Sequence, residues 1–310
     1  MELRQLRSLV TLVESDCNVS RAAERLYMVQ SAVSQHILRL EEELGVHLFM
    51  RQGKRITGLT DAGEKVLQHA RRVLAETGNI LDVGRDHVED RSGILRIGTT
   101  HTQARYVLPP IVKRFNRDYP RVELQIHQAS PRQLVGMALE NQVDFAICTE
   151  DLADQPRLTT VPSYQWNRSV IAPPGHPLLL EDTIDLPALC RYPIITYVTG
   201  FTGRGHFDRI LHKAGLEPHI VLTAASTDII KTYVRERMGI GIIASMAYAP
   251  ERDADLACRD LSHLFPWEVT RIAYPEGKYL RRYQEHFIAL FKRDIAERVS
   301  REQQPGMRPV

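Results

Sequence analysis

Missing from this sequence are the features that mark several protein classes outright. No apolar run approaches the roughly 20 residues that span a bilayer. The N-terminus, "MELRQLRSLVTLVESD", is charged and amphipathic and carries neither the apolar core nor the small-residue cleavage site of a signal peptide. These absences argue against a membrane or exported protein and for the cytoplasm. The four cysteines, Cys17, Cys148, Cys190 and Cys258, lie far apart without a CxxC pair, which suits reduced, buried thiols better than a disulfide framework. The 12 histidines form no HxH or HxxxH pair, so no metal is expected. There is no P-loop, no nucleophile elbow and no obvious pair of carboxylates, so neither an enzyme nor a cofactor is expected. Charge of one sign is scarce as well. The formal net charge is +2, so contact with nucleic acid must rest on a local basic patch.

What is present is a soluble globular composition, 43% hydrophobic and 25% charged, over 310 residues, too many for one ordinary core. Residues 1–59 read as helices followed by a ribbon. Leu3, Leu6, Val10 and Val13 recur at helical spacing. "NVSRAAERL" follows, with Asn18 and Ser20 as candidate N-caps, and a break at "YMVQ" leads into "SAVSQHILRLEEELG". There Val33, Ile37, Leu40 and Leu44 share a face and Gly45 is the expected C-cap. Two helices joined by a short turn, the second polar at its start, suggest a helix-turn-helix. Its recognition helix would begin near Ser31 and present Gln30, Ser31, Ser34 and Gln35 to base edges, with Arg39 reaching phosphate or a base. "LFMRQGKRITGLT" reads as a β-ribbon turning at Gly53. Its Arg51, Lys54 and Arg55, with no acid between them, are placed to grip the DNA backbone or minor groove. A small helical dimerisation module with a solvated charged face fits the same pattern.

Residues 60–90 read as one long linker helix with Thr60 as N-cap. Val66, Ala70, Val73, Thr77, Ile80 and Gly84 alternate by four and three, and Leu67, Leu74, Leu81 and Val88 recur every seven. This spacing is that of a coiled-coil seam and implies a homodimer; a helix packed only on its own domain is the alternative. From residue 94, within an effector domain expected over 91–300, the texture changes. "ILRIG", "VELQIHQ", "DFAICT", "RSVIAP", "PIITYV", "HIVLTA", "GIGIIA" and "VTRIAYP" read as strands, with helical patterns at 109–118, 131–141, 203–214, 226–237 and 280–298 between them. The expected fold class is therefore α/β, with mostly parallel sheet in two lobes. Lobe I is expected over about 91–163 and 267–300, and lobe II over about 164–266. The tail, 301–310, is expected to be disordered.

"SRAAERLYMVQSAVSQHILRLEEELGVHLFMRQGKRITGLTDAGEKVL" resembles the N-terminal domain of LysR-type transcriptional regulators. The matching residues include Ala22, Ala23, Leu26, Ser34, "LEEELG" at 40–45, "LF" at 48–49, Arg51 and "LTDAG" at 59–63. "TTHTQARYVLPP", "RYPIITYVTGFTGR", "DIIKTYV" and "GIGIIASMA" are similar to the CysB/Cbl branch, which governs sulfur assimilation. The resemblance implies an N-terminal all-α winged helix-turn-helix, a long linker helix and a two-lobed effector domain with the type 2 periplasmic-binding-protein fold. It further implies double-stranded promoter DNA and RNA polymerase as partners, a homotetramer, and a small anionic effector. That effector would be sulfate, or an acetylserine- or adenylylsulfate-like anion, held between the lobes. Two departures stand out. Met28, Val29, Gln30 and Ser31 replace the frequent Thr-Ser-Gln-Pro, so a hydroxyl-to-phosphate contact is lost at Val29 and Ser31 is the substitute cap. Gly205 and His206 stand where relatives often carry Ser and an acid.

Ligands in open α/β sheets sit beyond the carboxyl ends of strands. Thr99, Thr100 and Thr102 end the first strand of the effector domain, Thr149 ends "VDFAICT", and Thr199 and Thr202 lie in "TGFTGR", which opens a helix. Hydroxyls together with helix-start N–H groups hold an oxyanion without a countercharge. Threonine is also common at strand ends and caps, so without the resemblance the clusters stay ambiguous. The resemblance assigns Thr100, Thr102, Gln103, Thr149, Trp166 and Thr202 to the anion. Neutral donors imply an affinity almost flat between pH 6 and 8, whereas a binding His101 would tie affinity to pH. Arg105 is expected to be exposed or to bridge the lobes, and Glu150 and Asp151 to be a solvated loop pair. Two other readings stay open: a small-oxyanion binding or transport protein built on the same lobes, and a LysR-type regulator of an unrelated pathway.

Overall fold

A computed structural model describes residues 1–53, 55–88, 92–153, 155–300 and 306–309. The chain forms two compact units, Met1–Glu89 and Asp90–Val310.

In the first unit, α1 (Leu3–Glu14), α2 (Val19–Arg25) and α3 (Gln30–Leu44) are followed by a two-stranded ribbon, β1 (Phe49–Gln52) and β2 (Arg55–Leu59), and by α4 (Asp61–His87). Leu6, Leu9 and Leu12 of α1 are buried with Ala22 and Ala23 of α2 and with Val33, Ile37 and Leu40 of α3. Leu44, expected on that face, is exposed at the helix end. Asn18, rather than Ser20, caps α2 by accepting from the Arg21 N–H at 3.1 Å. Gly45, with φ of 67°, ends α3 as its residue type predicts. The N-cap of α3 is Val29, which has no capping side chain; Ser31 lies inside the helix and does not replace the lost cap. The ribbon is antiparallel, pairs Gln52 with Arg55 and turns at Gly53. Thr60 caps α4 through the Gly63 N–H at 2.9 Å. A Cβ at Gly63 would collide with the Leu48 carbonyl, so only glycine lets α4 start so close to the ribbon. Leu67 and Ala70 are buried in the head, whereas Ile80 and Leu81 further along α4, and Val88 just past its end, are 67%, 57% and 76% exposed.

The second unit contains β3 (Gly93–Thr99), a π-helical turn (Gln103–Val107), α5 (Leu108–Asp118), β4 (Val122–Gln128), α6 (Pro131–Leu139), β5 (Phe145–Cys148), β6 (Leu158–Trp166) and β7 (Arg168–Ala172). It continues with α7 (Leu186–Cys190), β8 (Ile194–Tyr197), α8 (Arg204–Lys213), β9 (Ile220–Ala224), α9 (Thr227–Arg235), β10 (Ile240–Ala244), β11 (Ala257–Asp260), β12 (Glu268–Pro275), α10 (Arg282–Ser300) and β13 (Met307–Pro309). Lobe I is a sheet in the order β13-β6-β12-β5-β3-β4, and lobe II a sheet in the order β11-β7-β10-β8-β9. The chain passes from one sheet to the other at Asn167, and returns between Asp260 and Glu268.

The sheets are mixed rather than mostly parallel. β3 runs parallel to β4 and β5, and β8 parallel to β9 and β10. β6, β7, β11, β12 and β13 pair antiparallel. β6, β7, β11 and β12 flank the two crossovers, where the chain changes sheet without a helical return, and β13 is added at the edge of lobe I after α10. The tail is also corrected in part. Met307 is buried and pairs with Trp166, so 307–309 form an edge strand; 301–305 lie outside the described residues. Phe115, Phe145, Phe287 and Phe291 centre the lobe I core, and Leu178, Leu189, Phe207 and Leu211 that of lobe II.

Candidate functional site

The reading head presents the residues that its periodicity singled out. Gln30, Ser31, Ser34, Gln35 and Arg39 are exposed on α3, while Val33, Ile37 and Leu40 face the core. Arg51 and Arg55 lie exposed on the two strands of the ribbon; Lys54 lies outside the described residues. Arg51 has an acid partner that sequence proximity did not reveal. Glu41, buried on α3, accepts the Leu48 and Phe49 N–H groups at 2.8 and 3.2 Å through Oε1, and Arg51 at 3.1 Å through Oε2. Arg51 thus helps to tie the ribbon to α3, and Arg55 is the described cation of the ribbon without such a tie.

In the second unit the parallel strands bring the threonines to one end of the sheets. Thr99 is spent within lobe I, donating to the Ile147 carbonyl at 2.8 Å. Thr100 and Thr102 follow at the mouth of the π-helical turn, 5% and 1% exposed. Thr102 Oγ1 is sealed from solvent without a formed hydrogen bond among the described residues, although the Tyr197 hydroxyl of lobe II is near enough to feel it. Gln103, Thr149 and Trp166 are knitted to each other instead. Trp166 Nε1 donates to Thr149 Oγ1 at 3.1 Å, and the Thr149 and Thr270 hydroxyls are 3.2 Å apart. Gln103 donates to Thr270 at 3.3 Å and accepts from the Tyr164 hydroxyl at 2.5 Å. Trp166 is fully buried in the lobe I core, so its indole N–H holds Thr149 in place. Thr270 and Tyr164 complete this network. Thr202, on the lobe II side, is buried and adopts φ of 47°, a left-handed conformation rare for threonine.

The cradle is not neutral throughout. Glu150, expected as part of a solvated pair with Asp151, is half-buried, and its Oε1 accepts the Gly203 N–H at the start of α8. Asp151 is exposed. Arg168 Nη2 donates to the Gly203 carbonyl at 2.5 Å and to Glu268 Oε1 at 2.6 Å, with both side chains 3% exposed. A Cβ at Gly203 would collide with Arg168 and Glu268, so the turn needs glycine for space as well as for its φ of 72°. His206, the departure from the family pattern, is 2.7 Å from the Glu268 carboxylate. Burial pushes the Glu150 carboxyl up to about 7; Glu268 adds to this, against the Gly203 N–H and Arg168. Glu150 Oε2 and Arg168 Nη1 are both buried without a hydrogen-bond partner among the described residues.

A second set of contacts joins the lobes. Arg105 pairs with Asp228 at 2.8 Å, the Tyr106 hydroxyl donates to the same carboxylate at 2.9 Å, and His101 is 3.2 Å from Ser226 Oγ. Arg105 therefore bridges, and His101 is committed to the start of α9. Lys231, whose Nζ lies 5.0 Å from the centre of the Tyr106 ring, is buried on Asp253 at 2.6 Å. A cavity of about 990 Å³ is lined by Arg105, Tyr106, Met246, Tyr248 and Arg298, among others, and by none of the six expected effector residues. No cluster of metal-ligating side chains occurs among the described residues. No helix among them is long and apolar enough to cross a membrane.

A winged helix-turn-helix and a two-lobed α/β unit in one chain define a class: DNA-binding regulators that carry a ligand domain. Residues 3–64 match the bacterial regulatory helix-turn-helix protein family of lysR type, and residues 89–296 match the LysR substrate binding domain. The chain belongs to the LysR family of transcriptional regulators. It is 43% identical over 297 residues to the HTH-type transcriptional regulator SsuR of Burkholderia cenocepacia, covering 96% of each chain. It is 41% identical over 305 residues to the HTH-type transcriptional regulator CysB of Haemophilus influenzae, covering 97% of this chain and 94% of that one. Among solved structures it is similar to the cofactor-binding domain of the Cbl transcriptional regulator, with 34% identity and a TM-score of 0.64 over 69% of this chain and 94% of that chain. Full-length OxyR from Pseudomonas aeruginosa shares the fold, with a TM-score of 0.71 at 23% identity over 94% of this chain and 98% of that one.

Proposed function

We propose that this LysR-type regulator controls genes of sulfate or sulfonate assimilation, and that its ligand is a small oxyanion seated between the lobes at Thr100, Thr102 and Thr202. Sulfate and acetylserine- or adenylylsulfate-like anions are the class. The observation that carries the reading is the Thr102 hydroxyl. It is sealed from solvent without a formed hydrogen bond among the described residues, beside Thr100 and close to Tyr197 of lobe II. Buried hydroxyls are nearly always paired, so one left over at a strand end marks a place for a ligand. Gln103, Thr149 and Trp166 support the cradle from behind. The similarity to CysB, SsuR and Cbl over nearly the whole of those chains, or of the solved Cbl domain, supports the sulfur assignment.

On the DNA side, Gln30, Ser34 and Gln35 read bases, Ser31 and Arg39 support them, and Arg51, Lys54 and Arg55 hold the backbone. Ile80, Leu81 and Val88 are the faces by which two copies pair through α4, and such dimers pair again into tetramers that meet RNA polymerase at promoters. The protein works in the cytoplasm and catalyses no reaction. The test is a gel shift with a sulfur-gene promoter fragment, with and without sulfate, acetylserine and adenylylsulfate. A shift altered by one of these anions and not by chloride is expected. A promoter shift that none of them alters would favour regulation of an unrelated pathway.

A further inference from the structure

We propose that Glu150 is an internal competitor for the anion seat: its carboxylate occupies the start of α8 in the ligand-free protein, and an oxyanion binds once that carboxylate takes up a proton. The inference rests on the reading of the cleft as an oxyanion site and adds how occupancy is regulated.

The geometry is direct. The bond from the Gly203 N–H to Glu150 Oε1 joins the residue after Thr149 to the residue after Thr202, across the two lobes. A carboxylate on the first N–H of a helix is the same interaction that an oxyanion ligand would make there. Two further observations point to a ligand. Arg168, 2% exposed and pressed against Gly203, keeps Nη1 buried without a partner among the described residues, and Thr102 Oγ1 is likewise buried there without a formed hydrogen bond, with the Tyr197 hydroxyl nearby. The seat thus holds a guanidinium N–H and a hydroxyl that the Arg168–Glu268 pair leaves unused, beside Glu150 Oε2, which likewise has no partner among the described residues.

Charge decides what enters. Arg168 and Glu268 already cancel, so an ionised Glu150 leaves the cluster with one negative charge. A sulfate dianion placed beside it meets like charge at a half-buried site, where repulsion is screened less than in open solution. Sulfate has no proton to donate and can only accept. A protonated Glu150 offers it an O–H, and the Gly203 N–H is released to the ligand. Burial has already brought the Glu150 carboxyl to about 7, where this proton is available. The other charged and titratable groups facing it are Arg168 of β7, Glu268 of β12, His206 of α8 on Glu268, Asp151 of its own loop and Cys148 at the end of β5.

If only the protonated form binds, apparent affinity scales with its population. With a midpoint near 7, wild-type affinity for sulfate falls roughly tenfold from pH 6 to pH 8. Titration calorimetry of the full-length protein with sodium sulfate, at pH 6, 7 and 8 in buffers of different ionisation heat, reads both affinity and protons. The wild type is expected to take up close to one proton per sulfate at pH 8 and few at pH 6. Glu150→Gln should bind roughly tenfold more tightly than the wild type at pH 8, with a flat profile and no proton uptake. His101→Gln and His206→Gln should keep the wild-type slope. Sulfate binding by the wild type with a flat profile and no proton uptake would overturn the inference while leaving the oxyanion cleft intact, and needs no variant to fold. So would a slope removed by His101→Gln or His206→Gln. Absence of sulfate binding in both wild type and Glu150→Gln at every pH would overturn the cleft reading and this inference together.

Discussion

Thr149→Val separates a ligand contact from a support. The substitution keeps the shape of the side chain and removes only the hydroxyl, which accepts from Trp166 Nε1 at 3.1 Å and lies 3.2 Å from Thr270. Trp166 is fully buried, so no water replaces the lost acceptor. Leaving one buried donor unsatisfied costs about 1–3 kcal/mol. In a domain of this size each kcal/mol moves the melting temperature by roughly 2–4 °C, so a drop of about 5 °C is expected. Sulfate affinity should change less than it does for Thr102→Ala, because Thr149 acts through the position of Gln103 and Thr270. Scanning calorimetry and sulfate titration of the same sample measure both. An unchanged melting temperature combined with a tenfold or larger loss of sulfate affinity would refute the assignment and make Thr149 a direct ligand.

Arg55→Ala should weaken binding to all DNA sequences alike and lower the slope of log affinity against log salt by about one; Arg51→Ala should also loosen the ribbon, since Glu41 loses its partner. Altered sequence preference at an unchanged salt slope would contradict this for Arg55. Leu81→Glu should give monomers or aggregates by light scattering, because the side chain is 57% exposed on α4 and unneeded by its own head; Leu74, partly packed on the head core, is a less clean test. A normal dimer would remove α4 as the seam. Lys231→Met should cost about 3 kcal/mol, tempered by Arg235 at 3.1 Å from Asp253. Burial pushes Asp253 up, but Lys231 and the Ala249 N–H outweigh it and its pKa is lowered overall. The pair's contribution is therefore present above the ordinary carboxylate range and lost as pH falls through the folded value. A urea midpoint that does not move in the variant at pH 7 would contradict it.

The head and most strand positions were readable because their signals are local, whereas the strand order and the antiparallel pairings were not. Val33, Ile37 and Leu40 repeat within one helix, and Asn-, Thr- and Gly-type caps act on their own neighbours. Eight strands announced themselves as apolar runs, whereas β6, β11 and β13 did not, being short or interrupted by Pro162, Ser163 and Gln165. The threonine ends of β3 and β5 followed from the strand pattern. The charged half of the site did not follow. Arg168 and Glu268 are 100 positions apart, and each looks like an ordinary polar residue beside a strand. Glu150 looked solvated because its neighbour Asp151 is, and only the packing of the α8 start against it makes the two differ. Thr270 touches Gln103 and Thr149 directly, yet within its own strand it had no sequence signal to mark it as part of the site.

The central claim, that the cleft is an oxyanion site separate from the reading head, is tested most directly by titrating sulfate into full-length wild type, Thr102→Ala and Thr202→Ala at pH 6.5. A hydrogen bond to a charged group is worth roughly 1.5–3 kcal/mol, or about ten- to a hundredfold in affinity. Each variant should lose sulfate affinity by that factor while its binding to promoter DNA without ligand stays within about twofold of wild type. Sulfate binding unaffected by either substitution, or no sulfate binding by the wild type, would contradict the claim.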